Sequence, residues 1–108
     1  MIGFFRRLLG GGTQVDFAEL VRHGARIIDV RTKAEFSSGH ARGSVNIPLD
    51  QLDAKAASLN KDAVIIVCCR SGSRSASAER ILRSKGFRQV HNAGSWTTLR
   101  KITNKKNE

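Results

Sequence analysis

The sequence predicts an α/β protein whose core is a small parallel sheet of about five strands, covered by helices on both faces. Short apolar segments rich in β-branched residues alternate with helix-start signals along the 108 residues, which is the order expected of a parallel sheet with crossover helices. Residues 63–68 form an unbroken apolar run, as expected for a strand buried on both faces of such a sheet. Right-handed crossovers would place helices on both sides and give three layers.

The length and apolar content suit one domain with its own core. We expect three parts: an N-terminal basic and apolar arm with a glycine hinge over residues 1–12, a folded domain over 13–103, and a basic C-terminal tail over 104–108. The glycines at positions 10–12 mark the hinge, because ordering three successive glycines has a high entropic cost.

The two cysteines, Cys68 and Cys69, are adjacent. They cannot cross-link distant parts of the chain, and they lack the paired spacing of a zinc site. We therefore expect a reduced, cytoplasmic protein with no metal and no cofactor. The longest apolar run is far short of a membrane span. Residues 1–9 have arginines inside their apolar stretch, which suits a secretory signal poorly but would allow weak contact with a membrane surface.

The formal net charge is +10, and most of it lies from Arg80 onward, where Glu108 is the single acid. Such a field attracts anions of any size, from small oxyanions to an acidic protein. It also suits a solvated face that keeps the protein dissolved. We retain an acidic protein as a candidate partner and do not expect nucleic acid.

The predicted elements follow one another with short connections. In chain order they are a helix over 17–23, a strand over 25–30, a helix of about two turns that ends at residue 39, a strand over 44–48, a helix to about 58, the strand over 63–68, a helix over 74–85, a strand over 89–91 and a helix over 96–102. Capping boxes pair Asp16 with Glu19 and Thr32 with Glu35, and Asp50 is the predicted N-cap of the third helix.

The helix after the central strand should end at Gly86, with Leu82 and Phe87 in contact as in a Schellman cap. In a parallel sheet the functional crevice lies at the carboxyl ends of the strands. Cys69 lies at the end of one predicted strand, Arg31 at the end of another, and His91 with Asn92 at the end of a third, so all of them should lie at this edge.

Cys69 is followed by a loop of small residues and two arginines that leads into a helix. The loop comprises Arg70, Ser71, Gly72, Ser73, Arg74 and Ser75. Backbone N–H groups at a helix start lack partners within the helix, and the helix dipole adds positive charge there. Both favour a thiolate and lower the pKa of a cysteine held there. We predict that Cys69 is a nucleophile and that Cys68 is a small buried hydrophobe.

Four segments carry a family resemblance. They are residues 28–32 with 35–36 (IDVRT and EF), 39–48 (GHARGSVNIP), 67–75 (VCCRSGSRS), and 86–87 with 92–94 (GF and NAG). In this order, and over about residues 13–100 of the chain, they resemble a single-domain rhodanese, a sulfurtransferase.

The resemblance implies the rhodanese-like three-layer fold and transfer of sulfane sulfur. Cys69 would take the outer sulfur from a thiosulfate- or persulfide-type donor, hold it as a persulfide and pass it to cyanide or a thiol. Loop residues 70–75 would then bind substrate, with backbone N–H groups around the sulfur anion and with Arg70 and Arg74 on the sulfonate end of the donor. The implied partners are a small sulfur-containing anion and a thiol acceptor.

Asp29, Arg31, Glu35 and His40 are predicted to support this site. Charges at a strand-to-helix junction are more often paired than catalytic, so we expect Arg31 to form an ion pair with either Glu35 or Asp29. We expect His40 to be a hydrogen-bonded structural histidine.

Two other functions remain open on the sequence. One is a binding or regulatory module that carries sulfur while docked on an acidic partner. The other is a cysteine-based phosphatase or arsenate reductase, although such phosphatases typically have five residues between cysteine and arginine. Here four residues separate Cys69 from Arg74, and this shorter loop favours the smaller sulfur.

Overall fold

A computed structural model describes residues 15–105 and confirms the α/β class with a parallel sheet. The strands are β1 Arg26–Asp29, β2 Val45–Asn46, β3 Ile65–Cys69 and β4 Val90–Ser95. The helices are α1 Phe17–Arg22, α2 Lys33–Ser37, α3 Leu49–Lys55, α4 Ser73–Ser84 and α5 Trp96–Lys105, with a 3₁₀ turn Ala56–Ser58 after α3.

The sheet within the described residues has four strands in the order β2-β1-β3-β4, all parallel, against the predicted number of about five. Each of the four corresponds to a strand located in the sequence. The register places Cys68 opposite Asp29 and Cys69 opposite Ser95. The carboxyl ends of β1, β3 and β4 therefore lie side by side at one edge of the sheet.

The two faces of β3 belong to two separate parts of the core. Val67 and Cys69 pack on the side that also holds Leu82 of α4, whereas Cys68 packs with Leu99 of α5 on the opposite side. All five residues of β3 are buried. The unbroken apolar run follows from this arrangement, because alternate side chains of a strand point to opposite faces and both faces are covered here.

The N-caps of α1 and α2 are the predicted residues, but only α2 has the complete capping box. Asp16 accepts a hydrogen bond from the Glu19 N–H at 3.0 Å, but the Glu19 carboxylate pairs with Arg22 and His23 and so does not complete a capping box. Both halves of the box at Thr32 are present. The second capping box was thus correct, and the first was correct only for its N-cap.

The predicted N-cap at Asp50 is wrong, because α3 begins at Leu49 and Pro48 is its N-cap. The proline ring fixes φ at a value compatible with a helix start, and the Pro48 carbonyl accepts the Gln51 N–H at 2.8 Å. Asp50 lies in the first turn instead, where a carboxylate is stabilised by the helix dipole.

Several element ends differ from prediction. Cys69 is the last residue of β3 rather than the first of the loop, and β4 runs to Ser95 instead of residue 91. A bulge in β4 opposite Val67 and Cys68 skips one residue of the pairing. The α5 helix continues to Lys105, two residues into the predicted tail.

The end of α4 follows the prediction. Gly86 has a φ of +101°, and the Phe87 N–H bonds to the Leu82 carbonyl at 3.1 Å, as in a Schellman cap. Within residues 15–105, none of the helices has the length and apolar character needed to cross a membrane. The predicted arm over residues 1–12 and the last residues of the predicted tail lie outside the described part of the chain.

Candidate active site

The Cys69 sulfur lies at the carboxyl end of the central strand, inside the turn that leads into α4. It accepts hydrogen bonds from the Gly72 N–H at 3.0 Å and the Ser75 N–H at 3.4 Å, and the Ser75 hydroxyl lies 3.4 Å away. The residue is 1% exposed. Backbone donors thus converge on one sulfur atom, as the sequence predicts.

These contacts act on the acidity of Cys69. Burial raises the pKa of the thiol, but hydrogen bonds from Ser75, Gly72 and Ser71 outweigh burial, so that the pKa of Cys69 is lowered overall. Cys68 shows the opposite balance: burial, with the Asp29 carboxylate nearby, raises its pKa strongly. The predicted difference between the adjacent cysteines therefore has an electrostatic counterpart.

Gly72 shapes the turn around the sulfur. Its φ of +110° lies in the left-handed region, which glycine adopts without steric cost. A Cβ at this position would lie 3.5 Å from the Gly94 Cα, so the loop also passes close to β4. The helix begins directly afterwards at Ser73, one residue before the predicted start, and the N–H of Ser75 in its first turn donates to the Cys69 sulfur.

Arg74 makes an ion pair that was not predicted. Its guanidinium binds both carboxylate oxygens of Glu35, at 2.7 and 3.1 Å, and its side chain is 34% exposed. Contact of Arg74 with the sulfonate end of a donor stays a prediction. Arg74, with the Thr32 N–H, lowers the pKa of Glu35 to about 2. The other loop arginine, Arg70, is exposed. The sequence missed this pair because Glu35 is 39 residues away along the chain.

Arg31 pairs with Asp29, which resolves the alternative that the sequence left open. Asp29 is 0% exposed and Arg31 4% exposed, and their side chains meet at 2.7 to 3.0 Å through three contacts. Arg31 also donates to the Gly39 carbonyl at 2.7 Å and lies 4.4 Å from the Trp96 ring centroid. This pair joins β1 to the loop after α2 and to the start of α5.

His40 makes the structural hydrogen bond that was predicted. Its Nδ1 lies 2.8 Å from the Phe36 carbonyl oxygen, and its ring stacks on that of Phe36 with centroids 3.7 Å apart. These contacts close the last turn of α2.

Two details of the site go beyond the prediction, which gave only a location at the carboxyl ends of the strands. Asn92, near the end of β4, accepts a hydrogen bond from the Ser75 hydroxyl at 2.6 Å. Its position at a strand end was the only available signal. The second is a mainly apolar crevice at the carboxyl ends of β1 and β2. It is lined by Val30, Thr32, Pro48, Leu49, Asp50 and Arg74.

The class of this protein follows from the four-stranded parallel sheet and from the cysteine that ends β3, directly before the loop into α4. Residues 13–100 match the rhodanese-like domain, and the chain belongs to this family of sulfurtransferases.

Individual relatives support the assignment. The chain is 39% identical over 66 residues to YrkF of Bacillus subtilis, covering 61% of this chain. It is 39% identical over 84 residues to the chloroplastic thiosulfate sulfurtransferase 16 of Arabidopsis thaliana, covering 67% of this chain and 70% of that protein. The structure of a human single-domain sulfurtransferase matches with a TM-score of 0.69 at 27% identity, covering 75% of this chain and 86% of the human one.

The match spans only part of some relatives. It covers 36% of the length of YrkF and 54% of the length of a second Bacillus subtilis protein, YqhL.

The Glu35–Arg74 ion pair should make the free energy of unfolding depend on pH in the acid range. Because the pKa of Glu35 falls from 4.5 to about 2 on folding, its contribution is complete above pH 4.5 and is lost as the pH falls toward 2. We expect Glu35→Gln, which retains an acceptor for the Thr32 cap, to lower the free energy of unfolding by about 1 kcal/mol at pH 7, because solvent screens this partly exposed pair. Denaturant unfolding should show the gap closing between pH 4.5 and 2; a constant gap would contradict the ion-pair explanation.

Proposed function

We propose that this chain is a sulfurtransferase that moves sulfane sulfur from a thiosulfate- or persulfide-type donor to a thiophilic acceptor through a persulfide on Cys69. The observation that carries the proposal is the convergence of the Gly72 and Ser75 N–H groups on the Cys69 sulfur. The same donors that favour a thiolate would favour a persulfide anion, because both place negative charge on sulfur inside the turn.

The reaction has two displacement steps. The Cys69 thiolate attacks the outer sulfur of thiosulfate, so that a new S–S bond forms while the bond to the sulfonate sulfur breaks and sulfite leaves with the electron pair. Cyanide or a thiolate then attacks the outer sulfur of the persulfide, which releases thiocyanate or a new persulfide and regenerates the Cys69 thiolate. No proton transfer to the leaving group is needed, so neither His40 nor Glu35 has to act as an acid or a base.

Arg70 is the loop residue best placed to attract an anionic donor. Its side chain is exposed, whereas the Arg74 guanidinium is held by Glu35. An exposed guanidinium on the residue that follows Cys69 in the chain would raise the local concentration of a dianion such as thiosulfate. The positive net charge of the chain also attracts an anionic donor.

The experiment that tests the proposal is intact-mass analysis of the reduced protein before and after incubation with thiosulfate. We expect a gain of one sulfur atom, followed by its loss when cyanide is added, with thiocyanate formed in equal amount. A protein whose mass does not change with thiosulfate or with a low-molecular-weight persulfide would contradict the proposal.

A second role is favoured by the basic surface and by one relative. The net charge is +10, and YrkF is described, provisionally, as a sulfur carrier protein. In this version the Cys69 persulfide is passed to an acidic partner protein instead of a small acceptor. Slow turnover with cyanide and small thiols, combined with a stable persulfide, is the result expected of a carrier.

The Asp50 carboxylate in the crevice should raise the KM for thiosulfate. Its carboxylate lines the same apolar crevice as Arg74 and would repel a dianion there. We expect Asp50→Asn to lower the KM for thiosulfate by about twofold to fivefold with little change in kcat, since less than about 1 kcal/mol is involved. The control is Asp53→Asn on the same helix, because Asp53 pairs with Lys85 and does not line the crevice. Equal effects of the two substitutions would mean that the crevice does not receive the donor.

A further inference from the structure

The Ser75 hydroxyl lies between the reactive sulfur and a side chain from another strand. Its Oγ is 3.4 Å from the Cys69 Sγ and 2.6 Å from the Asn92 Oδ1. Ser75 is 0% exposed, so water does not reach it. Two acceptors therefore face one buried hydroxyl group.

Asn92 is held in place from two directions. The Gly94 N–H donates to its Oδ1 at 2.8 Å, and its Nδ2 donates to the Gly72 carbonyl at 3.3 Å. A backbone N–H can only donate, so the atom that faces Gly94 and Ser75 is the amide oxygen. The Ser75 hydroxyl must then be the donor in its contact with Asn92.

A hydroxyl group has one proton to donate. When Ser75 gives that proton to Asn92, its oxygen remains free to accept a hydrogen bond from a neutral Cys69 thiol. A thiolate cannot donate, and it is stabilised when the same proton turns toward sulfur. When the Ser75 hydroxyl rotates toward the sulfur, the Asn92 Oδ1 keeps a hydrogen bond, because the Gly94 N–H still donates to it.

We propose that Asn92 is a positioning residue that directs the Ser75 proton and thereby sets how readily Cys69 ionises. Asn92 competes with the sulfur for this proton: the hydroxyl points to Asn92 while Cys69 is a thiol and to Cys69 once it is a thiolate. The inference rests on the proposed role of the Cys69 thiolate as the nucleophile. The thiol proton itself leaves to solvent.

Several other titratable or charged groups lie on the elements around Cys69. From the elements packed around Cys69 they are the Asp29–Arg31 pair on β1 and after it, the Glu35–Arg74 pair between α2 and α4, Arg70 on the loop, Cys68 on β3 and His91 on β4. None of them makes a hydrogen bond to the Ser75 hydroxyl among the contacts of the described residues. Both Asn92→Leu and Asn92→Asp lose the contact of the Asn92 Nδ2 with the Gly72 carbonyl, and they differ in what they offer the Ser75 proton; neither removes a member of the two ion pairs.

The ionisation of Cys69 can be followed directly by the ultraviolet absorbance of the thiolate during a pH titration. The chain has no tyrosine, so no phenolate absorbs in the same range. The measurement is made on the full chain carrying Cys68→Ala, which removes the other thiol. Neither sulfur donor nor acceptor is needed, so the result is independent of whether the protein transfers sulfur.

We expect two substitutions at Asn92 to have opposite effects. Asn92→Leu offers no acceptor and leaves the Ser75 proton to the sulfur, so the thiolate fraction at a fixed pH below the pKa should rise about threefold to tenfold. Asn92→Asp binds the proton more strongly and adds negative charge, so the fraction should fall by a similar factor. A merely structural role would move both variants in the same direction, and that outcome would overturn the proposal.

Removing the hydroxyl provides a second and independent criterion. In a Ser75→Ala background, Asn92→Leu should no longer change the titration of Cys69. If Asn92→Leu does not fold, as judged by circular dichroism, the comparison uses Asn92→Asp instead. Ser75→Ala should then lower the thiolate fraction when Asn92 is present and should have little further effect in the Asn92→Asp variant. Equal effects of Ser75→Ala in both backgrounds would show that Asn92 does not direct the proton.

Discussion

Cys69→Ser is expected to abolish the sulfur adduct that thiosulfate forms on the protein, and to reduce turnover with cyanide by about three orders of magnitude or more. Serine retains the size and the hydrogen-bond contacts, but its hydroxyl is not ionised near neutral pH, whereas the pKa of Cys69 is lowered by Ser75, Gly72 and Ser71. Intact-mass analysis and a thiocyanate assay measure the two effects.

Cys68→Ala is the matched control. Cys68 is 0% exposed, its pKa is raised by burial, and it packs with Leu99 on the face of the sheet away from the loop. Alanine keeps a small apolar group there, so the variant should still gain one sulfur atom and lose it to cyanide. An adduct that persists in Cys69→Ser and disappears in Cys68→Ala would show that Cys68 is the nucleophile and would contradict the proposal.

Asp29→Ala is expected to destabilise the fold by about 3–5 kcal/mol, because it leaves the buried Arg31 guanidinium without its counter-ion. Asp29 accepts from both the side chain and the backbone N–H of Arg31, and Arg31 is 4% exposed. The remaining contacts of Arg31, with the Gly39 carbonyl and the Trp96 ring, do not replace a full negative charge. Denaturant unfolding monitored by Trp96 fluorescence measures the loss.

Asp62→Ala removes an ion pair of the same chemistry from the surface. Both Asp62 and its partner Arg88 have side chains that are 78% exposed, so solvent screens their attraction and we expect a change of less than about 1 kcal/mol. Similar losses in Asp29→Ala and Asp62→Ala would show that burial does not control the strength of the Asp29–Arg31 pair.

Local signals were sufficient for most of the fold. Thr32 with Glu35 predicted a helix start because a capping box needs only residues three positions apart, and the structure contains both of its hydrogen bonds. The Schellman cap at Gly86 is local in the same sense. Asp50 failed as an N-cap because Pro48, with its fixed φ, starts the helix earlier.

The long-range contacts of the site could not be predicted in the same way. Arg74 lies next to the loop in sequence, but its partner Glu35 comes from another helix. Asn92 reaches Ser75 only because β4 extends beyond its predicted end and passes beside the loop. A single sequence carries no signal for such pairs, since they depend on how the elements pack.

The sequence by itself determined the α/β class, the strand that ends at the cysteines, and the glycine-containing loop that surrounds Cys69, because each depends on residues adjacent along the chain. Only the tertiary structure decided which charges and hydrogen bonds complete the site. It assigned Asp29 to Arg31 and Glu35 to Arg74, and it placed Asn92 against Ser75. The physical reason is that ion pairs and hydrogen bonds act over a few ångströms in space, and the parallel sheet alone brings these distant segments to one edge.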